Sequence, residues 1–202
     1  VVFPVLIGRK SGDGSLQGLL NMSGIPYVGC GLLASASCMD KSHTHMVLDD
    51  YCIKTAKWEL ITQREINSID ERCTEIAAEM GFPLIVKPAN SGSSVGSSIA
   101  EDADSLAAAV KLAFLNDNKV IVEKYVSGRK LEAAVFGYDN PFSYYIGEIL
   151  SVDKVYDPTE VNKSSGDDLV IPADLPMELM NDIRAVAVKA FKALGCKGMA
   201  RI

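Results

Sequence analysis

The 202-residue sequence lacks the features that would place it at once in several common protein classes. It has no run of about 18 apolar residues, so no membrane-spanning helix is predicted, and no signal peptide is recognised. Its formal net charge of −6 argues against a general nucleic-acid binder, because phosphate contacts need a basic face. A local basic cluster could still bind a small anionic ligand.

Cysteine and histidine are sparse as well. The five cysteines are widely spaced without a C-x-x-C pair, so neither a disulfide framework nor a zinc site is predicted. Reduced thiols in the cytosol are the simplest interpretation. His43 and His45 lie on a predicted helix at a spacing that puts them on different faces, which does not favour a metal site. The 48% hydrophobic and 23% charged residues fit an ordinary globular protein.

Hydrophobic periodicity predicts an α/β chain whose later sheet is largely antiparallel, with helices on one face. Residues 1–30 are predicted as strand, loop, helix and strand, and residues 32–51 as helical with a boundary near Met39 and Asp40. A capping box at Ser68 and Glu71 predicts another helix start. Strands are predicted at 83–89, 119–126, 130–137, 143–150 and from 198. A helix is predicted before the strand at 119–126, a final helix after Pro176, and an irregular stretch at 151–170. Because both ends lie in apolar, strand-like runs, we expect a fragment of a longer chain.

A glycine- and serine-rich loop follows a strand that ends in Lys87. Its residues 92–96 include Gly92, Ser93 and Ser94, whose backbone N–H and hydroxyl groups could turn toward phosphate oxygens. Lys87 would add a point charge. This loop is not a Walker A motif. The alternative is a plain flexible hairpin.

Two further sites place charge beside apolar strands. Glu123 and Lys124 end an apolar strand, where the alternative to a binding role is a solvated strand end. Arg201 lies in a final apolar strand, and a buried arginine is costly unless it pairs with an anion. Its alternative role is an ion pair with a carboxylate of the fold.

Taken in this order, the motifs resemble the D-alanine–D-alanine ligase family, including its D-lactate and D-serine variants. The resemblance covers nearly the whole chain. The matching stretches are the apolar run at 1–6, Asp-Gly-Ser-Leu-Gln-Gly at 13–18, Gly-Ile-Pro-Tyr-Val-Gly-Cys at 24–30, Met-Asp-Lys at 39–41, Phe-Pro-Leu-Ile-Val-Lys-Pro at 82–88, the loop at 92–96, Val-Glu-Lys at 122–124, Ile-Pro-Ala at 171–173 and Leu-Gly-Cys-Lys-Gly at 194–198.

The resemblance implies an ATP-grasp fold in which ATP lies between two α+β domains. Residues 1–39 would be the remainder of an N-terminal α/β substrate domain, 40–126 the central subdomain and 127–202 the start of the C-terminal subdomain. The implied reaction joins two D-alanines, or D-alanine to D-lactate or D-serine, through an acylphosphate, with ATP and Mg²⁺, for cytoplasmic peptidoglycan synthesis. The implied partners are these small molecules, without nucleic acid or membrane, and a homodimer is compatible with the family.

Family positions also imply roles for individual residues. Lys41 and Lys87 would bind the ATP phosphates, with Gly92, Ser93 and Ser94 in the loop over them and Ser93 close to the chemistry. The hinge that reads adenine would comprise Glu123, Lys124 and Val126. Arg201 would stabilise the oxyanion of the tetrahedral intermediate. The magnesium ligands would follow the end of this sequence, so we expect the 202-residue chain alone not to catalyse ligation.

Several positions depart from the family pattern. Ile7 replaces a histidine, Lys130 occupies the place of an acid that binds ribose, although Glu132 is close, and Val161 replaces a lysine of the omega loop. These departures leave two alternatives open. One is a diverged, non-catalytic nucleotide-binding protein, and the other is an ATP-grasp ligase for a different acid and amine.

Overall fold

A computed structural model describes residues 1–5, 9–92, 95–150 and 168–202. Its helices are α1 (Arg9–Gly12), α2 (Ser15–Met22), α3 (Leu32–Met39), α4 (Lys41–Asp50), α5 (Ile69–Met80), α6 (Ala103–Ala113) and α7 (Met177–Ala193), with a 3₁₀ helix at Gln63–Ser68. Its strands are β1 (Trp58–Thr62), β2 (Leu84–Pro88), β3 (Ser98–Ala100), β4 (Lys119–Lys124), β5 (Lys130–Gly137), β6 (Phe142–Leu150), β7 (Asp168–Val170) and β8 (Gly198–Arg201).

The first sheet has the strand order β1-β4-β2-β3, and every pairing is antiparallel. Side chains alternate between its faces, so Leu84 and Val86 of β2 point into a core formed with α5 and α6. The intervening Ile85 and Lys87 therefore belong to the opposite face. That face meets α4, and it is the face on which charged residues collect.

The second sheet has the order β7-β6-β5-β8 and is also fully antiparallel. Helix α7 packs on one face, where Phe191 meets Val135 and Ile146 in a second core. A register shift between Ala133 and Val135 marks a bulge in the β5–β6 pairing. The expected antiparallel later sheet with helices on one face is thus confirmed.

The N-terminal third packs mainly against the second core. Ala34 of α3 is buried there, with Val47 and Leu48 of α4 partly buried beside it. The prediction of a buried first strand is wrong for residues 1–5. Val2 forms a single parallel bridge to Tyr27, while Phe3 is exposed, because one bridge offers no apolar layer to cover the segment.

Other predicted features differ locally. The capping box lies at Thr62 and Glu65, before the 3₁₀ helix, and not at Ser68 and Glu71. The Ser68 hydroxyl instead donates to the Glu65 carbonyl at 3.2 Å. Strands β1 and β3 were not predicted, and β7 occupies the end of the stretch expected to be irregular. Residues 151–167 of that stretch lie outside the described residues. Within the described ranges, no helix is long and apolar enough to cross a membrane.

Candidate nucleotide-binding site

The charged face of the first sheet centres on a buried carboxylate. Glu123, at the end of β4, is only 7% exposed. One of its oxygens pairs with the ammonium group of Lys87 on the adjacent β2, and the other accepts a 2.7 Å hydrogen bond from Nε2 of His45. Antiparallel pairing of β2 with β4 puts these residues on the same face. Both oxygens are therefore oriented by protein donors.

His45 is itself held on several sides. Its Nδ1 lies 3.2 Å from the Thr55 hydroxyl, and its ring stacks on Trp58 with the ring centroids 4.8 Å apart. The Trp58 indole in turn donates to Asp49 at 2.9 Å. Trp58, which is partly buried, thus lies beside the charged face. A fixed imidazole of this kind restricts the orientation of the Glu123 carboxylate.

The Met-Asp-Lys motif at 39–41 forms the start of α4 beside this cluster. Asp40 caps the helix by accepting from the backbone N–H groups of Ser42 and His43, and it pairs with Lys119. The Lys41 ammonium donates to the Ser91 carbonyl at 2.5 Å, with the Ala89 carbonyl at 3.4 Å. Lys41 thus reaches the first residues of the glycine-rich loop.

The charges in the cluster shift one another. Burial alone would raise the pKa of Glu123, but the His45 hydrogen bond and the nearby Lys87 charge outweigh it and hold that pKa below its usual value. Burial lowers the pKa of Lys41, and the positive charge of Lys87 lowers it further. Across the residues that the structure describes, Lys41 has no carboxylate in ion-pair contact. It is a cation held by neutral carbonyl groups.

The remaining residues predicted around the nucleotide are placed as follows. Lys124 points to the other face of the sheet, where its ammonium donates to the Phe82 carbonyl at 2.8 Å. Its side chain is therefore not brought to Glu123, since neighbours on a strand alternate. Val126, just beyond β4, and Gly92 are exposed. Ser93 and Ser94 lie outside the described residues.

Arg201 lies on β8 of the second sheet, paired with Ala134 of β5. The expectation of a buried positive charge is wrong, because the side chain is 76% exposed. Its guanidinium forms a 3.3 Å ion pair with Glu132, a residue noted near the expected ribose-binding position. Lys130, which occupies that position, is exposed at the start of β5. Among the residues described, no hydrogen bond or ion pair joins Arg201 to Lys87, Lys41 or Glu123.

Sequence reasoning did not assign His45 to this site. The signal was available in the spacing, since residues i and i+4 share a helix face and His45 follows Lys41 by four positions. Among the described residues, no group of three or more histidine, cysteine, aspartate or glutamate side chains could hold a metal ion.

The family model and the relatives that match this chain are all described as D-alanine–D-alanine ligases. The family described as D-ala D-ala ligase C-terminus matches residues 47–202. A D-alanine–D-alanine ligase of Acetivibrio thermocellus is 43% identical over all of this chain and 54% of its own length. D-alanine–D-alanine ligase A of Escherichia coli K12 is also 43% identical, with 55% of its length covered.

Solved structures that resemble this chain are ligases of the same kind. The VanG D-Ala:D-Ser ligase from Enterococcus faecalis superposes with a TM-score of 0.86 at 36% identity, covering 99% of this chain and 57% of that one. The D-alanine–D-alanine ligase from Coxiella burnetii gives 0.83 at 30% identity, covering 99% and 53%. The chain thus spans about half the length of these relatives.

Proposed function

Because this chain belongs to the D-alanine–D-alanine ligase family, we propose that it supplies the nucleotide-binding residues of an ATP-dependent ligase acting on D-alanine. Its fold is that of the ATP-grasp ligases it superposes on. The proposed reaction joins D-alanine to a second D-alanine, to D-serine or to D-lactate, and its cellular role is cytoplasmic synthesis of a peptidoglycan precursor.

The observation that carries this proposal is the positive charge left over on the inner face of the first sheet. Lys87 is neutralised by Glu123, and Lys119 by Asp40. Within the part of the chain that the structure describes, Lys41 has only carbonyl partners, although burial and Lys87 disfavour its charge. A partly buried ammonium without a counterion favours an anionic ligand, and a polyphosphate fits this requirement.

The carboxylate of Glu123 is suited to the other end of the nucleotide. It is ionised, buried and fixed by His45 and Lys87, and each oxygen keeps a lone pair for a further donor. The exocyclic amine of adenine is such a donor. The exposed Val126 and the backbone of Lys124 would complete the adenine hinge, and Gly92, Ser93 and Ser94 would cover the phosphates.

When bound, ATP supplies a transferable phosphoryl group that activates a carboxylate toward an amine. Lys41 and Lys87 would hold its phosphates and offset their charge. Arg201, which is exposed and, among the described residues, tethered only to Glu132, would stabilise negative charge at the reacting carbon. Magnesium would accompany ATP, but the described residues include no cluster of three or more histidine, cysteine, aspartate or glutamate side chains that could hold it, and we assign no magnesium ligand.

Titration calorimetry with ATP tests the nucleotide-binding part of this proposal on the 202-residue chain itself. We expect saturable binding that Lys87→Ala weakens at least tenfold. Lys111→Ala is the matched control, because Lys111 forms an exposed 3.0 Å ion pair with Asp70 on the helix layer at the opposite face of the sheet. Absence of ATP binding by a folded chain, or equal loss in both variants, would contradict the assignment.

Nucleotide binding without ligation is the second candidate. The observation in its favour is Lys130, a cation at the position where the family places a ribose-binding acid. Phosphate release by the full-length enzyme, with ATP, magnesium and D-alanine, separates the two functions. Release that depends on D-alanine supports the ligase. Parallel assays with D-serine and D-lactate as second substrate identify the preferred acceptor.

A further inference from the structure

Strand β2 leads into the glycine-rich loop through residues 89–92, which we call the loop stem. The carboxylate of Asp117, in the turn between α6 and β4, lies against this stem. One of its oxygens accepts a hydrogen bond from the Asn90 backbone N–H at 2.6 Å and another from the Asn90 side-chain amide at 3.0 Å. The two residues are 27 positions apart in the sequence, so this contact joins two separate connections at one end of the first sheet.

The two oxygens of Asp117 contact different parts of the chain. Its Oδ1 accepts from the backbone N–H of Asn118 at 2.8 Å, which is a local contact within the turn before β4. Its Oδ2 accepts both hydrogen bonds from Asn90. A role confined to the turn would need Oδ1 alone, so the contacts of Oδ2 indicate a role for Asp117 at the loop stem. Hydrogen bonds to a carboxylate are about twice as strong as those between neutral groups.

Other hydrogen bonds hold the residues on both sides of this contact. The Ala89 N–H donates to the Lys119 carbonyl at 2.9 Å, and the Ala89 carbonyl accepts from the Lys41 backbone N–H at 3.0 Å. The Ser91 hydroxyl donates to the Val95 carbonyl at 2.9 Å, and the Ser91 carbonyl accepts from the Lys41 ammonium at 2.5 Å. The carboxylate thus holds the residue between two others that are already fixed, one of which contacts Lys41.

Asp117 also acts on the Lys41 ammonium through space. Burial lowers the pKa of Lys41 most, whereas the negative charge of Asp117 is among those that raise it. The carboxylate therefore favours the charged form of Lys41 without forming an ion pair with it. By holding Asn90, it also fixes the residue next to the Ser91 carbonyl, to which that ammonium donates.

From this arrangement we infer that Asp117 is a positioning residue for the polyphosphate of a bound nucleotide, acting through the loop stem. The inference rests on the proposed nucleotide site and adds a residue that lies outside the motifs shared with the family. A stem that is fixed before binding presents Gly92 and the Lys41 ammonium to phosphate oxygens in a set geometry. A stem without this contact must be ordered when the nucleotide binds, and ordering the backbone of one residue lowers a binding constant about tenfold.

Titration calorimetry with ATP on the 202-residue chain tests the role of Asp117. We expect Asp117→Ala to weaken ATP binding about tenfold, the cost of ordering one residue. Asn90→Ala should weaken it less, because the backbone N–H at that position keeps its acceptor. Adenosine, added as a competitor of ATP, should bind the wild type and Asp117→Ala equally, since it carries no phosphate.

The matched control is Asp102→Ala. The Asp102 carboxylate likewise accepts from a backbone N–H, that of Ser105 at 2.8 Å, but it caps α6 on the helix layer at the opposite face of the sheet. This variant should leave the affinities for ATP and adenosine unchanged. A second measurement needs no ligand, because amide hydrogen exchange in the peptide that contains residues 89–92 should be faster in Asp117→Ala than in the wild type.

Thermal unfolding checks that each variant is folded at the assay temperature. If Asp117→Ala is not folded, Asp117→Asn replaces it, with a smaller loss of ATP affinity that again spares adenosine. A wild-type chain that does not bind ATP would contradict the proposed function and the inference together. ATP binding by Asp117→Ala as tight as by the wild type, an equal loss for ATP and adenosine, or unchanged exchange at residues 89–92 would overturn the inference alone.

Discussion

The two sheets carry their charged site residues in opposite ways. On the first sheet, Glu123 is buried and bound by Lys87 and His45, and His45 is itself held by Thr55 and Trp58. On the second sheet, Arg201 is 76% exposed and has Glu132 as its one ion-pair partner among the described residues. One set of charges is fixed before any ligand arrives, and the other is presented to solvent.

This difference separates two tasks. Fixed, desolvated groups recognise a ligand with little reorganisation, which suits a nucleotide that is bound throughout a reaction. An exposed guanidinium loses little if its ion pair is broken, and it gains most where negative charge develops in a transition state. The contrast therefore predicts that substitutions in the first region change affinity and stability, whereas substitution of Arg201 changes rate.

Arg201→Ala should have the largest effect. We expect the ligation rate of the full-length enzyme to fall about a hundredfold to a thousandfold, the usual cost of removing one oxyanion donor. Arg201→Lys should recover only part of the rate, since an ammonium lacks the planar fork of donors. Steady-state kinetics give the rate, and calorimetry gives the ATP affinity, which should hardly change.

The control for Arg201→Ala is its melting temperature. Exposed ion pairs contribute about 0–1 kcal/mol, so the variant should melt close to the wild type. If the variant instead melts many degrees lower, and activity falls only with the unfolded fraction, Arg201 is a structural ion-pair residue. The contrast between the two regions would then fail.

Glu123→Gln should lower the free energy of unfolding by about 1.5–3 kcal/mol at neutral pH, because it removes a charged acceptor from two donors. The folded-state pKa of Glu123 lies below its ordinary value of 4.5, so its stabilisation is complete above that value and is lost as pH falls through the lower one. The difference between wild type and variant, measured by urea unfolding, should therefore shrink below pH 4.5. A difference independent of pH would show that Glu123 is not held as a carboxylate.

Lys41→Met should lower the affinity for ATP without lowering the stability of the fold. The variant loses an ammonium that faces the proposed phosphates, so ATP affinity should fall about tenfold, which corresponds to one charged hydrogen bond. Burial and Lys87 lower the pKa of Lys41, so its charge opposes folding at pH values below its ordinary 10.5. The melting temperature should therefore stay level or rise. Lys111→Met, at an exposed ion pair on the far helix layer, should change neither quantity.

Sequence patterns predicted the elements with strong periodicity or clear boundaries. Strands β4, β5 and β6, helix α7 and the α3–α4 boundary next to Asp40 all follow from local signals. Strand β3 has three residues, too few for a pattern to emerge, and β1 lies among polar residues. The first apolar run was misjudged because burial depends on neighbours that periodicity does not reveal.

In the candidate site, too, some residues were predicted from local sequence motifs and others depend on the fold. Lys41, Lys87 and Glu123 were found from motifs, and two of them make direct contact across β2 and β4. The helical spacing of His45 from Lys41 could have placed His45 on this face, but its hydrogen-bond partner Glu123 lies 78 positions away in the sequence and is revealed only by the fold. The exposure of Arg201 likewise depends on which sheet face it occupies. Such properties arise from tertiary packing and leave little trace in spacing.

The smallest predicted effect concerns how β8 is held. Gly195 and Gly198 both have positive φ values, of 66° and 75°, so an alanine at either position adopts an unfavourable left-handed conformation at a cost of about 1 kcal/mol. A Cβ at Gly195 would meet nothing within 4 Å, whereas one at Gly198 would crowd the Gly29 backbone. Gly198→Ala should therefore be less stable than Gly195→Ala by about a further 1 kcal/mol in urea unfolding, the cost of mild overpacking. Such a result would mean that backbone packing, and not charge, positions the strand of Arg201, in contrast to the ion-paired first sheet. Equal destabilisation in the two variants would mean that the Gly29 contact yields easily and that β8 is positioned by its pairing with β5.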